Sequence, residues 1–131
     1  MKVGVLTKSL SGVPIPLLTI TDFQNIETPL NKRKIIVITS RIHPGESNSS
    51  WMMEGFLRQL LTDDIKIKNI LKLFIFKVIP MLNPDGVIIG NYRTSLSGTD
   101  LNRKFQDPNQ FLYPSIHHLK SLVRNILYKR N

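Results

Sequence analysis

The chain has 131 residues, 41% of them hydrophobic and 8% aromatic, a balance that supports one globular core and excludes a disordered tail. It contains no cysteine, so disulfides and thiolate metal sites are ruled out, and a cytoplasmic setting fits better than a secreted one. Its 18 Lys and Arg against 9 Asp and Glu give a formal charge of +9, which favours an acidic partner. The basic residues are scattered through Lys32-Arg33-Lys34, Lys66, Lys68, Lys72 and Lys129-Arg130, however, without the aromatic-interleaved stripe of a nucleic-acid face.

In chain order, Met1 to Lys8 carries too short an apolar run for a signal peptide. The longest apolar stretch, Leu73 to Leu82, is broken by Lys77 and Pro80, so no segment is expected to span a bilayer. Val13 to Thr21 reads as a strand whose prolines confine its start to an edge or entry position. Asp22 to Lys34, polar with a basic cluster, reads as a surface connection. Ile35 to Ile38 is a continuous apolar run, the pattern of a strand covered by helices on both faces.

That strand delivers His43 and Glu46 into the turn His43-Pro44-Gly45-Glu46. Zinc takes imidazole nitrogen and carboxylate oxygen readily, and a catalytic site needs three protein ligands plus water. Alone the pair is a weak signal, because many short stretches hold a His and a Glu at this spacing. A helix is expected from Ser47 to Ser49 onward, with Met53, Phe56, Leu57, Leu60 and Leu61 at helical spacing and Gly55 weakening it slightly. Trp51, Met52 and Met53 read as core packing.

Thr62 to Lys72 fits either a short amphipathic helix or a polar loop. Leu73 to Leu82 is a second central strand, closed by Asn83-Pro84-Asp85-Gly86, which has the residues of a β-turn with Gly86 at positive φ and Asp85 as turn former. In open α/β sheets sites form at the carboxyl ends of strands, so the loops after Ile38 and Leu82 are expected to share a crevice. Val87 to Arg103 is Gly-, Ser- and Thr-rich, and long irregular loops of this kind tend to be functional. Pro114 fits the first position of a last helix with an apolar stripe of Ile116, Leu119, Leu122, Val123, Ile126 and Leu127.

Four motifs in this order, His43-Pro44-Gly45-Glu46, Pro80 to Val87, Gly90-Asn91-Tyr92-Arg93 and Asp100-Leu101-Asn102-Arg103, resemble the zinc metallocarboxypeptidase superfamily. More narrowly they resemble the cytosolic carboxypeptidases that trim glutamates from tubulin and other proteins. The resemblance implies a three-layer α/β/α fold on a mixed sheet and one Zn2+ with His43 and Glu46 as two of its three ligands. Asp100 would orient the His43 ring through its other nitrogen. Arg93 would polarise the scissile carbonyl and stabilise the oxyanion, and Asn102 and Arg103 would hold the substrate's C-terminal carboxylate. Outside these motifs, Arg93 and Arg103 read as solvated loop arginines and Asp100 as a turn or cap residue. The partners implied are protein C-terminal tails, polyglutamylated tubulin among them, with neither nucleic acid nor membrane.

The sequence also departs from the superfamily. Its third zinc ligand is a His downstream of the Asp-Leu-Asn-Arg segment and its general base a later Glu, whereas no acidic residue here follows Asp107. His117 and His118 are assigned to helix packing or surface, not to metal. The resemblance therefore implies that residues 1–131 are the N-terminal portion of a catalytic domain, holding zinc weakly and inactive alone, with a last helix short of covering. The alternative is a catalytically inactive remnant that binds acidic tails or a protein partner.

Overall fold

The computed structural model describes residues 1–128. Its strands are β1 (Lys2–Lys8), β2 (Pro14–Ile20), β3 (Lys34–Thr39) and β4 (Phe74–Ile79). Its helices are α1 (Asn48–Leu60), α2 (Ile65–Leu73), α3 (Pro84–Ile88) and α4 (Pro114–Tyr128), with single 3-10 turns at Leu30–Lys32 and Leu101–Arg103. The sheet runs in the order β1-β2-β4-β3, antiparallel through β2 and β4 and parallel between β4 and β3.

Strand β4 is central, and its apolar run buries side chains in two separate cores. Phe76 and Val78 pack with Ile20 and with Met53 and Leu60 of α1, joined by Ile67 and Leu71 of α2. Ile79 packs instead with Ile15, Leu82, Leu101 and with Ile116 and Leu119 of α4. The sheet thus lies between α1 and α2 on one face and α4 on the other, the α/β/α layering expected of a strand buried on both sides. Strand β3 stands at the edge, and an open groove of about 750 Å³ beside it is lined by Val37, Phe105, Val123, Leu127 and Tyr128. Among the described residues no helix is long and apolar enough to cross a membrane.

The structure differs from the sequence-based expectations at four places. Met1 to Lys8, read from the sequence only as too short in its apolar run for a signal peptide, forms β1 through hairpin pairing with β2. Trp51 and Met52 are about 70% exposed at 72% and 73%, since only the Met53 side of α1 faces the sheet. Asn83-Pro84-Asp85-Gly86 is the first turn of α3 and not a β-turn: the Asn83 side chain caps the Gly86 amide, Pro84 takes the first helical position, and Gly86 has no positive φ. Asp85 is buried and accepts from the Ser9 hydroxyl at 2.6 Å and the Ser11 amide at 3.1 Å, tying the β1–β2 hairpin to α3.

The basic cluster at the end of the 22–34 connection is not wholly on the surface. Arg33 is 1% exposed, flanked by the exposed Lys32 and Lys34. Its guanidinium donates to the carbonyls of Thr28 (2.8 Å), Asp22 (2.5 Å), Asn25 (2.8 Å) and Leu71 (3.2 Å) and to the Thr21 hydroxyl (2.8 Å). One side chain therefore satisfies the 22–28 loop and the end of α2 together, which explains why a charge is buried with carbonyl dipoles as its partners. Replacing it by Met would leave several of these carbonyls unpaired. Arg33→Met is expected to destabilise by about 2–4 kcal/mol and Lys32→Met by less than about 0.5 kcal/mol, read from urea midpoints; equal midpoints for the two variants would contradict the account.

Candidate metal centre

Because β3 and β4 are parallel, their carboxyl ends open on the same side, and the two loops remain paired beyond the strands. The Ser40 amide donates to the Ile79 carbonyl at 3.1 Å and the Leu82 amide to the Ser40 carbonyl at 2.9 Å. The chain then turns at Arg41, which has φ 56°, the one non-glycine at positive φ among the described residues. Such a conformation costs about 1–2 kcal/mol and persists only where surrounding contacts hold it. Asn83 supplies one of them, donating from Nδ2 to the Ile42 carbonyl at 3.1 Å.

His43 follows, buried, with both ring nitrogens engaged. Nδ1 lies 2.9 Å from Oε1 of Glu46 and Nε2 lies 3.1 Å from Oδ1 of Asp100. Asp100 also accepts from the Asn102 amide at 2.9 Å and from Nε of Arg93 at 2.9 Å. Burial opposes ionisation of Asp100, but the Asn102 amide, the His43 ring and the Arg93 guanidinium outweigh it and hold the carboxyl below its usual value. Four of the residues singled out in the sequence thus form one chain, Glu46 to His43 to Asp100 to Arg93. The side chains of Asn102 and Arg103 are exposed on the adjoining 3-10 turn.

The donors match a zinc-type site in kind. Asp100 occupies Nε2 and sets the ring orientation, while Nδ1 and the half-exposed Glu46 carboxylate face each other as a nitrogen and oxygen pair. Among the described residues no three His, Cys, Asp or Glu side chains gather around one metal position. His117 and His118 lie in α4, each with Nδ1 against a backbone carbonyl, Pro108 at 3.3 Å and Pro114 at 2.9 Å.

Close backbone approach fixes the turn in place. A Cβ on Gly86 would meet Pro44 Cγ at 2.3 Å and the Thr94 carbonyl at 2.7 Å, and one on Gly45 would meet the Tyr92 ring at 2.3 Å. The Gly45 amide donates to the Tyr92 carbonyl at 2.7 Å, so the segment before Arg93 is stitched to the segment holding the His43–Glu46 pair. Arg41 and the Tyr92 contact carried no sequence signal, since an arginine at positive φ looks like any other arginine. Gly86→Ala collides partly with backbone and is expected to cost about 2–3 kcal/mol, whereas Gly45→Ala meets a ring that is 75% exposed and can swing away, at about 1 kcal/mol. Gly55→Ala, in open space within α1, is expected to stabilise by about 0.5–1 kcal/mol; thermal unfolding that ranks the three otherwise would contradict this packing.

Comparison with known proteins bears on the family of the chain. The family model described as zinc carboxypeptidase matches residues 1–122. Cytosolic carboxypeptidase 2 of Xenopus tropicalis is 50% identical over 129 residues, covering 98% of this chain and 13% of its own length. Cytosolic carboxypeptidase 3 of Mus musculus is 44% identical over 129 residues, with the same coverage of 98% and 13%. The crystal structure of a metallo-carboxypeptidase from Burkholderia cenocepacia superposes with a TM-score of 0.85 at 29% identity, over 95% of this chain and 33% of that one. The chain therefore spans a small part of these relatives, and with a family model matched over nearly all of it, it belongs to the zinc carboxypeptidase family.

Proposed function

We propose that this chain carries half of a zinc carboxypeptidase site, as the N-terminal portion of a catalytic domain. The observation that carries the reading is His43 held between two carboxylates through opposite ring nitrogens. One carboxylate, on Asp100, is anchored by Arg93 and the Asn102 amide, and the other, on Glu46, remains half-exposed. His43 Nδ1 and Glu46 would be two ligands of one zinc ion, a third coming from outside residues 1–131. When bound, zinc supplies a Lewis acid for the scissile carbonyl and a water acidified to near neutral pH.

The chain's own residues do the rest. Asp100 keeps the His43 ring oriented by accepting a hydrogen bond from its Nε2–H. Arg93 spends Nε on Asp100, which leaves its terminal nitrogens to meet the oxyanion that develops on the carbonyl. Arg103, exposed one residue beyond Asn102, has the planar fork that binds a terminal carboxylate through two parallel hydrogen bonds. Anchoring of that carboxylate restricts cleavage to the last residue of a chain.

The substrates we infer are acidic protein tails, with glutamate as the residue removed and polyglutamylated tubulin as one example, in the cytoplasm. The names of the relatives, cytosolic carboxypeptidases, support C-terminal cleavage in the cytoplasm, and the formal charge of +9 supports an acidic tail.

The test is a protein extended through a downstream His ligand and Glu base, given a peptide that ends in glutamates. It is expected to release free glutamate until a chelator removes the metal, while the 131-residue chain releases none. Glu46→Gln is expected to lose bound zinc and release together, and full zinc retention in that variant would remove Glu46 from the ligand set. Arg93→Ala is expected to lower kcat by about 100- to 1000-fold, and Arg103→Ala to act mainly by raising KM. Release of neutral residues in preference to glutamate would reject the acidic-tail substrate.

A further inference from the structure

We propose that Arg41 is a positioning residue for the metal-facing pair, a clamp that holds the His43–Glu46 turn in the shape that brings the two donors together. The inference rests on the zinc reading above for its purpose, and on geometry for its substance. Arg41 is the one non-glycine at positive φ among the described residues, and it sits two positions before His43. A backbone outlier beside a candidate site implies that something over-determines it. Here, beside the Asn83 contact to the Ile42 carbonyl, the over-determining contacts come from its own side chain.

The half-buried guanidinium of Arg41 reaches across the turn. Nε donates to the Pro44 carbonyl at 2.7 Å, and one terminal nitrogen donates to the Ser50 hydroxyl at 2.6 Å in the first turn of α1. Pro44 and Ser50 bracket Glu46, so both ends of the segment bearing the carboxylate are tied to one rigid group. Ser40 adds a parallel tie, its hydroxyl donating to the Ser49 carbonyl at 2.8 Å. Inside this bracket the Glu46 amide donates to the His43 carbonyl at 3.3 Å and the Gly45 amide to the Tyr92 carbonyl at 2.7 Å. The positive φ turns the chain out of β3, and the guanidinium makes the new direction hold. No simpler side chain performs both parts, since glycine would take the φ without the clamp and lysine would present one point donor in place of a fork.

That division gives a test which separates positioning from general stability. Arg41→Gly removes the clamp while relieving the backbone strain, which offsets much of the loss of its two hydrogen bonds, so its urea midpoint is expected to stay near that of the unaltered chain. Hydrogen exchange at the Gly45 and Glu46 amides of the metal-free chain is expected to quicken by up to about tenfold, the effect of one lost hydrogen bond of ordinary net strength. Zinc affinity, followed through the His43 ring resonances during a zinc titration, is expected to fall by about tenfold or more. Ser50→Ala, which removes one acceptor, should move exchange and affinity in the same direction by less. Unchanged exchange at Gly45 and Glu46 in Arg41→Gly would overturn the clamp, and faster exchange with equal zinc affinity would overturn its role in positioning the donors. If the unaltered chain shows no zinc-dependent change at His43 while Arg41→Gly still quickens exchange, the metal reading fails and the clamp stands.

Discussion

The parallel pairing of β3 with β4 is the constraint on which the site depends. It keeps the carboxyl ends of two strands in register, Thr39 against Ile79, so the loops that follow leave the sheet side by side. Ser40 extends that pairing by one step, its amide donating to the Ile79 carbonyl and its carbonyl accepting from the Leu82 amide, and only then does the chain break away at Arg41. A shift of β3 by one residue would turn its apolar side chains to the opposite faces and carry the His43–Glu46 turn away from Asn83 and Gly86. The apolar cores on the two faces of β4 are therefore also what places His43 in front of Asp100. Packing energy, large and non-directional, is converted into position through the hydrogen-bonded register.

A second tier of polar contacts refines that position. Arg33, Asp85 and Asp100 are each enclosed with partners from more than one segment: Arg33 joins the 22–28 loop to α2, Asp85 joins the β1–β2 hairpin to α3, and Asp100 joins the His43 turn to Arg93. In each case a charge is taken from water and repaid by several hydrogen bonds at once, the condition under which burial of an ionic group is tolerable. The sheet edge presents the opposite situation. Beside β3 an apolar groove lies open, and Leu127 and Tyr128 of α4 are 62% and 74% exposed at its rim.

What could be read from the sequence was whatever has a short period or a short motif. The run Ile35 to Ile38 announced a strand, though its side chains are only half-buried at the sheet edge, and the stripe beginning at Ile116 announced a helix. The His43 and Glu46 spacing placed two donors on one turn, and the motif order brought Arg93 and Asp100 to the same place, all legible because neighbouring residues carry the signal. Illegible features depend on contacts distant in the chain. Arg33 resembles its flanking lysines until Leu71 arrives 38 residues later, and β1 becomes a strand only through β2. Asn83-Pro84-Asp85-Gly86 satisfies the local chemistry of both a turn and a helix start, and packing of Gly86 under Pro44 accompanies the second outcome. Trp51 and Met52 show the converse failure: large apolar residues suggest core, but helical phase decides which side of α1 they occupy.

The central claim is that His43 and Glu46 present one metal ion with a nitrogen and an oxygen donor while Asp100 retains the opposite ring nitrogen. The most direct measurement is a zinc-soaked crystal of the 131-residue chain with data collected at the zinc absorption edge. The account predicts one anomalous peak within about 2.0–2.2 Å of His43 Nδ1 and a Glu46 oxygen, with the contact of Nε2 to Asp100 preserved. A peak between Nε2 and Asp100, or on His117 and His118 with none at Glu46, would contradict it.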